Sequence, residues 1–163
     1  MTEADRNALR AWLELLSASN GIKKFIDTSL RREFGVSISR FDILSALERA
    51  GADGLRAGDL SQQLMVTEGN TTQVTAPLIR DGLVKRTPYS EDGRVAIFRL
   101  TRKGEKLFRE MAAENRLWVA DAFSTLSENQ LKSFRRLLGM LSLPGDNVGA
   151  RDRAPGRERK DAI

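Results

Sequence analysis

The stretch VTEGNTTQVTAPLIRDGLVKR, residues 66–86, crowds four threonines, an asparagine and a glutamine into the nine residues 67–75. None of these side chains is a strong acid, base or nucleophile. An asparagine or glutamine amide does, however, hold an adenine edge with two hydrogen bonds, and a threonine donates, accepts or offers its methyl to thymine. Val74 and Leu78 recur at i, i+4 and face inward, which leaves Thr67, Asn70, Thr72, Gln73 and Ala76 on or near the outward face. The competing reading is a solvated helix surface. Against it stands the lack of any long charged residue between Asn70 and Leu78, since ordinary exposed faces are rich in Lys and Glu.

Other chemistry is narrowed by what the chain lacks. It has no cysteine and no histidine. Disulfides, thiolate metal sites, cysteine nucleophiles, serine–histidine triads and most zinc sites are therefore excluded. No convergent set of carboxylates or lysines suggests an enzyme, and no cofactor is expected. The N-terminal MTEADRNALRAWLELL has acids where a signal peptide needs a basic start, and no apolar run approaches a membrane span. The expectation is an intracellular, cytoplasmic protein with no membrane contact. Net charge is +5, and residues 55–104 hold 8 basic against 5 acidic residues, whereas residues 1–54 balance at 8 and 8. Positive charge thus gathers around the polar helix, as neutralising phosphates requires.

The elements that would position these residues can be followed along the chain. Leu9, Leu13, Leu16, Ile22, Ile26 and Leu30 predict one long helix over 5–34, with small residues at 17–21 marking a kink or a close helix contact. Ser37 reads as an N-cap, with Val36 and Phe41 as its hydrophobic staple. The helix that follows ends before Gly51. Leu60 and Leu64 lie on a short helix, Thr67 caps the next, and Gly82 ends it. Residues 83–87 and 96–100 pair as a hairpin across the turn-rich 88–94. A helix-turn-helix followed by such a hairpin is a winged helix. Thr101 caps a long helix. Ser127 and Gln130 form a capping box for a last one, which Pro144-Gly145 is expected to stop. Pro77 is expected to bend the second helix of the pair, because it lacks an amide donor and crowds the Gln73 carbonyl. The fold class is mainly α with a small β-hairpin wing. We divide the chain into an N-terminal dimerisation helix and linking helix (1–54), a winged helix-turn-helix lobe (55–104), C-terminal dimerisation helices (105–143) and a disordered tail (144–163).

Leu60-Ser-Gln-Gln-Leu64, the turn to Thr67, Gly82-Leu-Val-Lys-Arg86, Asp92-Gly-Arg94 and Leu100-Thr-Arg-Lys-Gly104 resemble the MarR family of transcriptional regulators in order and spacing. The resemblance spans roughly residues 5–143. It implies an obligate homodimer whose terminal helices form the base and whose two winged lobes meet adjacent major grooves of a near-palindromic DNA operator. Arg40-Phe41-Asp42 and residues 64–70 look like the branch that represses aromatic-acid catabolism, some of whose members respond to hydroxycinnamoyl-CoA thioesters.

On that resemblance the outward face of the 67–78 helix reads bases and Arg94 at the wing tip enters the minor groove, while Lys85, Arg86 and Arg99 flank the wing, each either meeting a phosphate or simply solvated. A ligand site between dimer helices and lobe would use Arg40 for an anionic group and Trp12, Phe25, Phe41 and Trp118 for an aromatic one. The plainer alternative makes the aromatics core and Arg40 a surface residue. The function implied is a DNA-binding repressor released by a small aromatic acid or its CoA thioester. The alternative of a different class is a winged-helix protein-interaction module without specific DNA readout.

Overall fold

The protein, as a computed structural model, is described at residues 2–64, 68–89 and 95–141, at backbone level only for 68–72. It divides into two compact units, Met1–Ala122 and Phe123–Ile163. Helix α1 (Glu3–Phe34) starts earlier than the apolar periodicity suggests. Thr2 and Asp5 form a capping box: the Asp5 amide donates to Thr2 Oγ1 at 3.1 Å, and the Thr2 amide donates to Asp5 Oδ2 at 2.7 Å. These bonds satisfy two otherwise unpaired groups at the helix start. The small residues at 17–21 do not end α1, and among the described residues a Cβ added at Gly21 would meet nothing.

Ser37 caps α2 (Ile38–Ala50) as expected, and its staple partners Val36 and Phe41 are both buried. The junction is also clamped from α1. Asp27 accepts from Arg31 Nε at 2.7 Å and from the Ile38 amide at 2.8 Å, which ties the two helices together. The Arg31 bond, followed by that from the Ile38 amide, holds the Asp27 carboxyl below its ordinary range. A depressed folded-state pKa gives stability that is full above the ordinary carboxylate value and lost as pH falls through the folded value. Asp27→Asn, which keeps the shape but not the charge, is therefore expected to cost about 1–2 kcal/mol near neutrality. The difference between wild type and variant should close in urea titrations run at progressively lower acid pH. A gap that stays constant through the acid range until both proteins unfold would overturn this.

After α2 the chain makes a short strand, β1 (Leu55–Arg56), then α3 (Ala57–Leu64), α4 (Glu68–Arg80), β2 (Val84–Pro88), β3 (Ala96–Leu100) and α5 (Arg102–Ala122). The hairpin forms in the expected place, with Val84 opposite Leu100 and Pro88 opposite Ala96. β1 was not anticipated. It pairs antiparallel with β3, Leu55 opposite Phe98, giving a three-stranded sheet of order β1-β3-β2. Two residues are too few to show a period of 2, so only the partner strand defines this one.

One core runs through the first unit. Leu30 of α1, Ile43, Leu44 and Leu47 of α2, Leu60 of α3, Leu78 of α4, Val84 of β2 and Met111 of α5 are all buried in it. Phe41 lies against Phe108 with ring centroids 5.6 Å apart. Each such large side chain contributes roughly 1.5–3 kcal/mol of apolar burial.

Four bonds close the α4–β2–α5 junction. The Leu83 amide donates to the Leu78 carbonyl at 2.9 Å past Gly82, whose φ of 70° is the left-handed conformation expected at a helix C-terminus. Thr101 Oγ1 accepts from the Gly104 amide at 3.1 Å, capping α5, and donates to the Gly82 carbonyl at 2.7 Å. Lys103 Nζ reaches the Asp81 carbonyl at 2.9 Å.

In the second unit, Ser127 and Gln130 form the expected capping box of α6 (Glu128–Gly139), and Phe123 packs on Phe134. The helix ends earlier than Pro144. It stops at Gly139, where the Met140 amide turns back to the Leu137 carbonyl at 3.1 Å, so Leu141 lies beyond it. Glycine's poor helix propensity makes this the easier exit. Pro144 and the segment 144–163 fall outside the described residues. No helix among the described residues is long and apolar enough to cross a membrane.

Candidate nucleic-acid interface

Helices α3 and α4 pack on each other and against the sheet through Leu60, Leu64, Val74 and Leu78. Burying Val74, Thr75 and Leu78 leaves Gln73 and Ala76 exposed on the opposite face of α4. The helix does not end at Pro77: residues Glu68–Arg80 form one element, and the Asp81 amide donates to the Pro77 carbonyl at 2.9 Å. Pro77 has no amide hydrogen, so the Gln73 carbonyl is denied its usual i+4 donor. Asn70 and Thr72 lie within α4, which fixes their backbone to the same helix as Gln73. Thr67 and Arg94 fall outside the described residues.

The sheet sorts the basic residues by face. In the β2–β3 register, Arg86 pairs with Phe98 and Lys85 with Arg99, so Arg86 stands on the face opposite to Lys85 and Arg99. Arg86 shares the α4 side. It lines a cleft of about 240 Å³ with Thr75, Ala76, Ile79, Ala96 and Phe98. Two of the residues expected to contact nucleic acid, Ala76 and Arg86, are thereby brought together. Arg99 is turned away from them, with its Nε donating to the Ala52 carbonyl at 2.7 Å. Of the three basic residues that flank the wing, Arg86 alone therefore shares a face with α4, because alternation along a strand sends neighbours to opposite faces.

Two participants were not legible in the residue pattern. Thr75 is buried between the flanking apolar positions of α4, where a periodicity count registers only a polar gap. Arg56 of β1 stacks over the Tyr89 ring at 4.5 Å from its centroid, linking the strand before α3 to the root of the wing. Such a contact contributes on the order of 0.5–1 kcal/mol at an exposed site.

The proposed ligand residues fall in different settings. Phe41 is core against Phe108, and Trp118 is half-buried beside the same core. Arg40 is half-buried at the start of α2. Burial pushes the carboxyl of neighbouring Asp42 up, against the pull of Lys23 and Arg49. Trp12 and Phe25 are 55% and 42% exposed on α1. Thirteen residues of helix set them about 20 Å apart, so they do not line one pocket within a single chain. Asn115, one turn before Trp118 on α5, has a buried Oδ1 with no hydrogen-bond donor among the described residues.

A helix-turn-helix whose second helix packs on an antiparallel hairpin defines the winged-helix class. Comparison with known proteins places it more closely. The sequence model of the MarR family matches residues 34–95, which takes in α2, the helix pair and the start of the hairpin. The uncharacterised HTH-type transcriptional regulator YhbI of Bacillus subtilis is 26% identical over 146 residues, 87% of this chain and 92% of YhbI. A MarR family transcriptional regulator from Silicibacter pomeroyi, known as a crystal structure, is 27% identical with a TM-score of 0.72, over 85% of this chain and 95% of that one. Sco3205, a MarR family regulator from Streptomyces coelicolor solved in complex with DNA, has the same fold at 24% identity and a TM-score of 0.72, over 85% of this chain and 86% of its own.

Proposed function

We propose that this chain is a homodimeric, sequence-specific DNA-binding repressor, released from a near-palindromic operator by a small aromatic ligand. The observation that carries the DNA reading is the pairing, on one side of the lobe, of exposed Gln73 and Ala76 of α4 with Arg86 of β2. The amide of Gln73 can specify a base, and Arg86 can neutralise a phosphate beside it. From the sequence pattern we also assign base contacts to Thr67, Asn70 and Thr72 and a minor-groove contact to Arg94. Support for the homodimer comes from apolar side chains left exposed on α1, namely Leu9, Trp12, Leu13 and Leu16, and separately from Leu137 and Leu138 on α6. Support for the aromatic ligand, an aromatic acid or its CoA thioester, rests on α5. There the unpaired Asn115 Oδ1 offers an acceptor beside Trp118, while Arg40 and Phe41 begin the helix that α5 packs upon. In the assembly Phe25 and Trp12 would belong to that site through the dimer rather than through one chain.

The test is selection of bound sequences from a random duplex library near physiological salt. A palindrome with half-sites about one helical turn apart is the expected product. On that site Gln73→Ala should cost about 1–3 kcal/mol and relax preference at one base pair. Arg86→Ala should weaken all sequences alike and lower the salt slope by about one. Binding that is salt-sensitive but enriches no sequence would sink the specific-repressor reading and favour the interaction module.

A further inference from the structure

The outer face of the sheet, away from α4, carries a second feature that DNA reading does not use. A cleft of about 690 Å³ lies between the end of α2, the β2–β3 strands and the first turns of α5. This is within the range of small-molecule sites, roughly 300–1,000 Å³. Lys85, Arg99 and Arg109 line it from three different elements, together with Glu48, Glu105 and Thr87. Lys85 and Arg99 stand directly opposite each other across the strands. Like charges in that position repel and destabilise the pair.

No ion pair relieves them: among the described residues, neither Glu48 nor Glu105 comes within salt-bridge distance of Lys85, Arg99 or Arg109. The two guanidinium groups are nevertheless held. Arg99 Nε donates to the Ala52 carbonyl at 2.7 Å, and Arg109 Nε to the Glu105 carbonyl at 3.3 Å. Each arginine is thus anchored through Nε to a backbone oxygen, with its Nη groups not engaged by these bonds. A planar, pre-oriented guanidinium is well suited to bind phosphate oxygens in pairs.

We propose that this cleft binds a phosphomonoester, a dianionic phosphate on a small hydroxylated molecule. Three cations match a dianion better than a single carboxylate, and Glu48, Glu105 and Thr87 supply acceptors for the hydroxyl groups of the remainder. The ligand joins α2, the wing and α5. Its consequence for operator affinity, through the strand that presents Arg86, rests on the DNA reading above; its binding does not.

The full chain, without DNA, should be titrated calorimetrically with ribose 5-phosphate, ribose and inorganic phosphate. Ribose 5-phosphate is expected to bind at least tenfold more tightly than ribose. Arg109→Gln and, independently, the exposed Lys85→Gln should each lower that affinity tenfold or more, while Lys132→Gln on α6 leaves it unchanged. Inorganic phosphate binding as tightly as the ester would assign the cleft to the free ion; weaker binding would assign it to the ester. Equal affinity for ribose and its phosphate, no binding of either phosphate, or wild-type affinity in a folded Lys85→Gln variant overturns the proposal. A parallel titration of operator DNA keeps the two readings separable: specific DNA binding without phosphate binding sinks only the cleft.

Discussion

A chain carrying Leu13→Glu is expected to behave as a folded monomer and to bind its operator at least a hundredfold more weakly than the parent. Leu13 is 53% exposed on α1, and Leu9, Trp12 and Leu16 surround it at helical spacing. A glutamate there removes little from the fold of the single chain, because the position faces water and glutamate is a good helix former. In a two-fold assembly the same patch meets itself, so one substitution acts twice. Burying a carboxylate without a partner costs several kcal/mol per ion. Two such charges outweigh the roughly 1.5–3 kcal/mol that each leucine side chain contributes when buried. Sedimentation velocity at micromolar protein, with circular dichroism to check the fold, measures the first part. Titration of the selected duplex measures the second. A variant that still sediments as a dimer would remove α1 from the interface. A folded monomer that binds DNA as tightly as the parent would remove the need for a dimer.

Gly104→Ala is expected to destabilise the first unit by about 3 kcal/mol or more, near the upper end for overpacking. Helix propensity points the other way, since alanine is favoured over glycine by about 1 kcal/mol in a helix. Packing decides. Gly104 is buried in the first turn of α5, and a Cβ built there collides with the Leu83 carbonyl oxygen. That oxygen has no freedom to retreat, because it accepts from the Thr101 amide at 3.0 Å and from Thr101 Oγ1 at 3.3 Å. Any relaxation would loosen the cap of α5 or the exit of α4. Gly139 is the matched control, since a Cβ there meets nothing. Urea unfolding of both variants checks the contrast. An alanine at 104 that leaves the midpoint unchanged would mean the two helices separate more easily than their shared bonds imply.

Much of this architecture was legible because local rules and tertiary packing agree. Ser37 with its staple, the Ser127–Gln130 box, Thr101 and Gly82 all mark helix ends through hydrogen bonds made within a few residues. The hairpin announces itself by alternation, and the inward Val74 and Leu78 fix which side of α4 faces out. Where the reading fell short, the determining partner lies far along the chain or the signal is polar. β1 exists only because Phe98 and Ile97 lie beside it. The start of α1 was missed because aspartate replaces the more usual glutamate in the box. The division of Arg86 from Lys85 and Arg99 needed the strand register, and the outer cleft draws its charges from three elements that composition cannot bring together. The spacing of the aromatic set was a matter of helix length: Trp12 and Phe25 share α1, which holds them about 20 Å apart within one chain.

The bonds at the α4–β2–α5 junction make a coupling without slack. Asp81, Gly82 and Leu83, which follow α4, are each held by Lys103 or Thr101 at the start of α5. Helix α4 therefore has no hinge of its own at this end. α5 is about 30 Å long and rigid enough to act as the arm of a lever. Whatever tilts that arm at its far end carries α4 with it, and a displacement too small to disturb the core is delivered at the surface as a change in the aim of Gln73.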